Sequence, residues 1–165
     1  MSKATFVANY VKQFDGAYSN ALPVKGAIGD LAGYIYDDIL KANEVLVTDN
    51  TTLTEDDSGK TFNIATNAKV FTLPLITTAN LGMKFKFRNL GADGAVALTI
   101  APNALDGIGG TVPNAAADSV GSGVVDKDLV NTAATANYGD WVEIVAVAAT
   151  KWVITGGVGI WASQG

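Results

Sequence analysis

The chain has 165 residues, a hydrophobic fraction of 48% and a net charge of −5, so we expect one domain with a buried core. Charged residues make up only 16%, and the acidic balance argues against a general nucleic-acid-binding protein. The absence of cysteine and histidine excludes disulfides, Ser-His-Asp and Cys-His catalysis, and an ordinary zinc site.

No segment predicts a secretion signal or a membrane span. The residues that follow Lys3 are too polar for the apolar core of a signal peptide. The most apolar region, residues 141–162, is interrupted by Glu143 and Lys151, and its glycines and β-branched residues favour strands. We therefore expect a soluble protein without a membrane partner.

The first 50 residues differ from the rest, and we divide the chain into an N-terminal arm or layer (1–50) and a β domain (51–165). Asp30 is placed to cap a short helix over residues 31–43. The aromatic run inside it favours a strand over 34–39 instead, and both alternatives stay open. The segment is either an irregular layer over the β domain or an arm that docks on a neighbouring subunit.

From residue 45 onward, the pattern is typical of strands separated by turns. The predicted strands lie within residues 44–54, 61–64, 69–75, 82–90 and 95–102. An acidic turn with Ser58 and Gly59 precedes the second of them. Pro74 lacks the N–H that a sheet requires, so the third strand ends there or lies at an edge.

Residues 82–90 show the clearest alternation in the chain. Three apolar residues share one face of this strand: Met83, Phe85 and Phe87. Three basic residues share the other: Lys84, Lys86 and Arg88. The basic face is either a solvated surface that protects against edge aggregation or an interface that pairs with acidic loops of a partner or a second copy.

The rest of the chain predicts a long loop followed by a hairpin. Residues 103–137 are rich in glycine and small side chains, with a short strand at Val124 and Val125. Residues 139–157 read as a hairpin, and one more short strand follows. The whole pattern predicts a mainly β fold, namely an antiparallel sandwich, roll or barrel with an irregular N-terminal segment.

No constellation of catalytic residues is visible, and an enzyme is not expected. Gly59, Lys60 and Thr61 lack the earlier glycine of a phosphate-binding loop. Five carboxylates are candidates for glycoside hydrolysis: Asp106, Asp126, Asp128, Asp140 and Glu143. No spacing pairs any two of them as that chemistry requires. The acidic residues at 55–57, or Asp126 with Asp128, offer oxygen ligands for calcium but lack a dedicated loop pattern, so no metal or cofactor is expected.

Five segments in this order resemble a recurrent module of tailed-bacteriophage virion proteins: residues 52–64, 72–75, 82–90, 139–147 and 151–157. In that module an acidic Ser-Gly-Lys turn opens a strand, and a strand ending in Thr-Leu-Pro follows. A glycine-led aromatic strand comes next, and a Gly-Asp hairpin with a tryptophan closes the domain. These are turn and core motifs, so they indicate the fold more closely than the role.

The resemblance implies a capsid decoration (cement) protein, because the chain is short, carries a single module and has an aromatic N-terminal segment. Such a protein forms homotrimers on the capsid surface, after assembly in the host cytoplasm, and clamps subunits of the major capsid protein. It involves neither nucleic acid nor membrane. The implied interface residues are the arm aromatics and the basic face: Phe6, Tyr10, Phe14, Tyr18, Lys84, Lys86 and Arg88.

The alternative is a tail fibre or tailspike module that binds a receptor or a carbohydrate. In that case Trp141, Trp152 or Trp161 would stack on a sugar ring. All three lie in apolar strands, which favours packing in the core. A bacterial surface-layer or adhesion module is a third possibility, and the missing secretion signal speaks against it.

Overall fold

The computed structural model describes residues 43–113 and 119–164, and the residues from Glu44 onward form one compact unit. Residues 1–42, which include nearly all of the predicted helix over 31–43 and the alternative strand over 34–39, lie outside the described residues. Two short 3-10 turns cover Glu55–Asp57 and Ala133–Thr135. The strands are β1 (Glu44–Val47), β2 (Thr51–Thr52), β3 (Thr61–Ile64), β4 (Lys69–Thr72), β5 (Lys84–Asn89), β6 (Leu98–Ala101), β7 (Gly107–Val112), β8 (Ser119–Val125), β9 (Leu129–Asn131), β10 (Trp141–Ala148), β11 (Lys151–Val158) and β12 (Ala162–Ser163).

The strands form one continuous hydrogen-bonded sheet, and the two halves of this sheet pack face to face. The first half has the order β1-β3-β5-β10-β11-β7, and the second continues as β8-β12-β9-β6-β4-β2. Phe62 of β3 and Phe71 of β4 lie in opposite halves, yet their ring centroids are only 5.5 Å apart. The sheet is therefore a β-sandwich, closed along one side where β7 pairs with β8.

The mainly β class is confirmed, and the pairing of the strands is mixed. Among the strands that the structure describes, the antiparallel pairing expected from the sequence holds for five pairs, whereas six pairs are parallel. Between β1 and β6 the chain passes from one half to the other after every strand. Each half therefore receives alternate strands in the same direction, which makes β1-β3-β5 and β2-β4-β6 parallel.

The core lies between the two halves and is rich in aromatic side chains. Phe87 of β5 lies 5.1 Å from Phe71 in the opposite half, and Phe85 lies 5.6 Å from Trp152, measured between ring centroids. Burial of each such side chain contributes about 1.5–3 kcal/mol. Trp152 and Trp161 are both buried, so the prediction that they pack in the core is confirmed.

The predicted long loop over residues 103–137 is wrong, because β7, β8 and β9 lie within it. The predicted short strand at Val124 and Val125 is the end of β8. Glycine lets β7 and β8 approach closely, since a Cβ at Gly107 would lie 2.5 Å from the carbonyl oxygen of Gly123. Strands built from small residues show little apolar alternation, so the pattern that predicts the other strands is missing here.

Candidate interaction face

The outer face is the solvent-facing side of the first half, and it carries the three predicted basic residues: Lys84, Lys86 and Arg88. They alternate along β5 with Phe85 and Phe87, which are fully buried. The predicted separation of a basic face from an apolar face is confirmed. Because β5 lies between β3 and β10, both neighbouring strands place side chains beside the basic residues.

Arg88 is oriented by residues of β1 and β3. Its Nη1 donates to Glu44 Oε2 at 3.3 Å and to Asn63 Oδ1 at 3.2 Å. Asn63 Nδ2 donates to the same Glu44 oxygen at 2.6 Å. The side chains of Arg88 and Glu44 are 32% and 55% exposed, so this ion pair positions Arg88 and contributes little to stability.

Lys86 makes a cation–π contact with Trp141 of β10. Its Nζ lies 3.9 Å from the centroid of the Trp141 ring. The ring lies over Gly156 of β11, where a Cβ would come within 3.2 Å of Trp141 Cη2. At exposed sites such a contact contributes about 0.5–1 kcal/mol. The prediction of core packing is wrong for Trp141, which is half-buried on the outer face.

The outward position of Trp141 could have been read from the alternation in β10. Val142 and Ile144 are fully buried, and side chains two residues apart share a face. Trp141 therefore belongs with Glu143, whose Oε1 accepts a hydrogen bond of 2.9 Å from Thr155 Oγ1 on the outer face. The charged side chain of Glu143 indicates which face of β10 points outward. The apolar residues around it made this indication easy to miss.

Lys84 is the third basic residue and the most exposed of the row. Its backbone is fixed, because its N–H donates to Ser58 Oγ at 3.2 Å and its carbonyl accepts from Gly59 N–H at 2.8 Å. Its ammonium group forms no ion pair with any residue in the described ranges. A small cleft of about 80 Å³ is lined by Lys84, Lys60 and Lys86, and by Glu143. Lys84 is thus a cation of the outer face that is available to a partner.

The acidic turn before β3 is held together by Asp57. Its Oδ2 accepts from Thr54 N–H at 2.9 Å, and its Oδ1 lies 2.8 Å from Lys60 Nζ. Partial burial acts to raise the pKa of Asp57, but the hydrogen bonds from Lys60 and Thr54 outweigh it and hold the pKa below its ordinary value. In the described part of the chain, no three acidic residues are placed to hold a metal ion.

Two of the carboxylates considered for catalysis are buried within the fold. Asp140 Oδ2 accepts from Asn131 Nδ2 and from Asn137 N–H, each at 3.0 Å. Asp106 Oδ2 accepts from Ile76 N–H at 3.0 Å, while its Oδ1 has no hydrogen-bond partner among the residues that the structure describes. These bonds tie strands and loops together, so we assign both carboxylates to the architecture of the sandwich.

The four arm residues predicted at the interface lie outside the described residues: Phe6, Tyr10, Phe14 and Tyr18. Of the predicted interface set, the structure therefore describes only the basic residues of β5. Across 43–113 and 119–164, no helix is both long and apolar enough to cross a bilayer. No protein-family model matches the chain, and no curated protein matches it in sequence.

Proposed function

We propose that this protein is a structural virion protein of a tailed bacteriophage. It binds the outside of the capsid and stabilises it by bridging subunits of the major capsid protein. It acts as a homotrimer on the capsid surface, which it reaches in the host cytoplasm during assembly. The order of turn and strand motifs over residues 52–157 supports this proposal, and the outer face supplies a surface for docking.

The observation that carries the proposal is the row of basic residues on the outer face. Arg88 and Lys86 are positioned by neighbouring side chains, whereas the Lys84 ammonium has no ion-pair partner in the described ranges. The chain as a whole carries a net charge of −5, so its overall charge opposes binding to an acidic partner. An acidic patch on the capsid would therefore select the outer face, and the charges would set the orientation of docking.

The stabilising effect comes from many copies acting together. Each copy buries apolar surface that contributes roughly 25 cal/mol per Å². Copies held at fixed spacing on the capsid act through multivalency, so contacts that are individually weak hold adjacent subunits together. The aromatic residues of the arm serve as the apolar anchors in this proposal: Phe6, Tyr10, Phe14 and Tyr18.

A capsid-occupancy experiment tests the proposal. Purified protein is added to capsids that lack it, and the number of bound copies is measured by electron microscopy and gel densitometry. We expect Lys84→Glu to reduce occupancy, and Lys69→Glu to leave it unchanged. Lys69 is a matched control because it undergoes the same charge change on β4, in the other half of the sandwich.

Two results would contradict the proposal. One is equal occupancy for the Lys84→Glu and Lys69→Glu proteins, which would exclude the outer face as the docking surface. The other comes from immunogold labelling of intact particles with antibody against this protein. Label on the tail, or the absence of label from every particle, would contradict a position on the capsid. Replacement of the arm aromatics by alanine tests the anchors separately, and unchanged occupancy would remove them from the proposal.

The second candidate function is receptor binding by a tail fibre or tailspike. The observation that favours it is the position of Trp141, which is half-buried on the outer face beside Arg88 and Lys86 of β5. A tryptophan in this setting is able to stack on a ligand once the Lys86 ammonium moves aside. Label confined to the tail, together with loss of cell binding in Trp141→Ala, would select this function over the first.

A further inference from the structure

A second surface feature lies at the end of the sandwich where β10 begins and β11 ends. Residues 137–140 and 158–160 line an open cleft of about 540 Å³, together with Pro113. None of the proposed docking residues on β5 lines it. Its volume is in the range of pockets that hold small ligands.

The cleft is flanked by an exposed aromatic side chain on a well-fixed backbone. Tyr138 is 68% exposed, so the core gains little from its ring. Its N–H donates to Asp93 Oδ1 at 2.8 Å, and the N–H of the next residue, Gly139, donates to the carbonyl of Asn89 at 2.8 Å. A tyrosine side chain has only two rotatable torsions, so ordering it against a ligand costs little conformational entropy.

The floor of the cleft is fixed as well. Asp140 is 3% exposed and accepts hydrogen bonds from the Asn131 side chain and the Asn137 backbone. Gly159 lies directly against this carboxylate, since a Cβ there would approach Asp140 Cγ to 2.2 Å. The Asn131 amide also donates to the carbonyl of Ile160 at 2.9 Å. Both segments that line the cleft are therefore tied to the same buried network, and the cleft is preformed.

The lining combines apolar and hydrogen-bonding groups. Val158 and Ile160 are 52% and 39% exposed, and they offer an apolar surface beside Tyr138. The Asn137 side-chain amide has only a long contact of 3.4 Å, to the Thr135 carbonyl, so it is free to bond a ligand. No described residue that lines the cleft is a lysine or an arginine, which disfavours an anionic ligand.

We propose that this cleft binds a neutral saccharide. A pyranose ring has an apolar C–H face, which suits stacking on Tyr138, and hydroxyl groups, which suit the Asn137 amide. The site goes beyond capsid docking and does not depend on it, because it uses none of the basic residues of β5. A particle that displays many copies would bind a glycan surface through multivalency even if each site were weak.

The experiment is an NMR titration of the full-length, isotopically labelled protein. The probes are neutral sugars: glucose, galactose, mannose, rhamnose and N-acetylglucosamine, with the corresponding disaccharides. We expect at least one of them to shift the amide signals of Tyr138, Gly139 and Gly159. Tyr138→Ala should weaken that binding about tenfold, whereas Tyr138→Phe should retain it because the stacking surface remains.

Three results would overturn the proposal. The first is that no neutral sugar perturbs the cleft amides. The second is binding of equal strength in Tyr138→Ala, whose folding is checked from its amide spectrum. The third is perturbation centred on Trp141, which would move the sugar to the outer face. Capsid occupancy of Tyr138→Ala is measured in parallel, and we expect it to equal that of the unmodified protein, so the two proposals fail independently.

Discussion

The side-chain amide of Asn131 donates a hydrogen bond of 3.0 Å to Asp140 Oδ2, and both side chains are buried. Asn131 Oδ1 in turn accepts from Asn89 Nδ2 at 2.9 Å. These residues lie at the end of β9, just before β10 and at the end of β5. One buried polar network therefore joins strands from both halves of the sandwich and forms the floor of the cleft beside Tyr138.

We expect Asp140→Ala to lower the free energy of unfolding by about 2–4 kcal/mol. The substitution leaves the buried Asn131 amide without its acceptor, which costs about 1–3 kcal/mol, and it removes the hydrogen bond from the Asn137 N–H, which contributes about 1 kcal/mol. Urea denaturation followed by circular dichroism measures the change. Asp49→Ala is the matched control, because Asp49 is exposed and its loss should change stability by less than about 0.5 kcal/mol. Equal effects of the two substitutions would exclude a structural role for the network.

The sequence predicts the parts of this fold that depend on alternating apolar and polar residues. The alternation of Phe85 and Phe87 with charged residues predicts the strand at 82–90, and the structure buries both phenylalanines. The parallel pairing of β3 with β5 could not be predicted, because it depends on where the connections run. Alternation identifies a strand and its faces but carries no information about which strand lies beside it.

The two surface sites differ in how far the sequence predicts them. The basic row was found by its charges, but its neighbours Glu44 and Trp141 come from strands distant in sequence. The cleft was not predicted at all. Tyr138 lies in a loop without periodicity. The backbone of this loop is held by hydrogen bonds from Tyr138 to Asp93 and from Gly139 to Asn89, which only the folded chain brings together.

The close approach of β7 and β8 gives a second prediction, on packing. We expect Gly107→Ala to destabilise the protein by about 1–3 kcal/mol, since the new Cβ would lie 2.5 Å from the Gly123 carbonyl oxygen. Gly109→Ala is the control two residues along the same strand, where the nearest atom would be 3.3 Å away. Thermal unfolding of both variants measures the difference. A larger loss for Gly109→Ala than for Gly107→Ala would contradict the pairing of these strands.

The lowered pKa of Asp57 gives a third prediction, on pH. A carboxylate whose pKa is lower in the folded state stabilises the fold at pH values above the pKa of the unfolded state, which is 3.8. This contribution is lost as the pH falls through the pKa of the folded state. We therefore expect the stability of the unmodified protein to fall more steeply below about pH 4 than that of Asp57→Asn. Urea denaturation midpoints measured across this pH range give the dependence of stability on pH for both proteins. The same dependence in both would contradict the prediction.

Asp128 provides a control of opposite sign for that experiment. Burial raises the pKa of Asp128, and the charge of Asp126 raises it further. Compared with the unfolded state, the folded state therefore binds the proton of Asp128 more tightly. The charged carboxylate costs stability at neutral pH, and the cost disappears as the pH falls below the unfolded value. We expect Asp128→Asn to stabilise the protein at neutral pH, with a gain that vanishes in acid.

The contact between Lys86 and Trp141 gives a fourth prediction, on the outer face. Trp152 and Trp161 are buried, whereas Trp141 is half-buried, so Trp141 dominates fluorescence quenching by a soluble quencher. Lys86→Met removes the ammonium that lies 3.9 Å from the Trp141 ring centroid but keeps most of the aliphatic side chain. We therefore expect acrylamide to quench Trp141 more efficiently. We also expect the free energy of unfolding to fall by about 0.5–1 kcal/mol, because the cation–π contact is lost. Lys84→Met is the control on the same strand and should change neither quantity, because the Lys84 ammonium forms no ion pair in the described ranges. If the two variants are quenched alike, the Lys86 ammonium does not cover the ring in solution, and Trp141 is already open to a ligand.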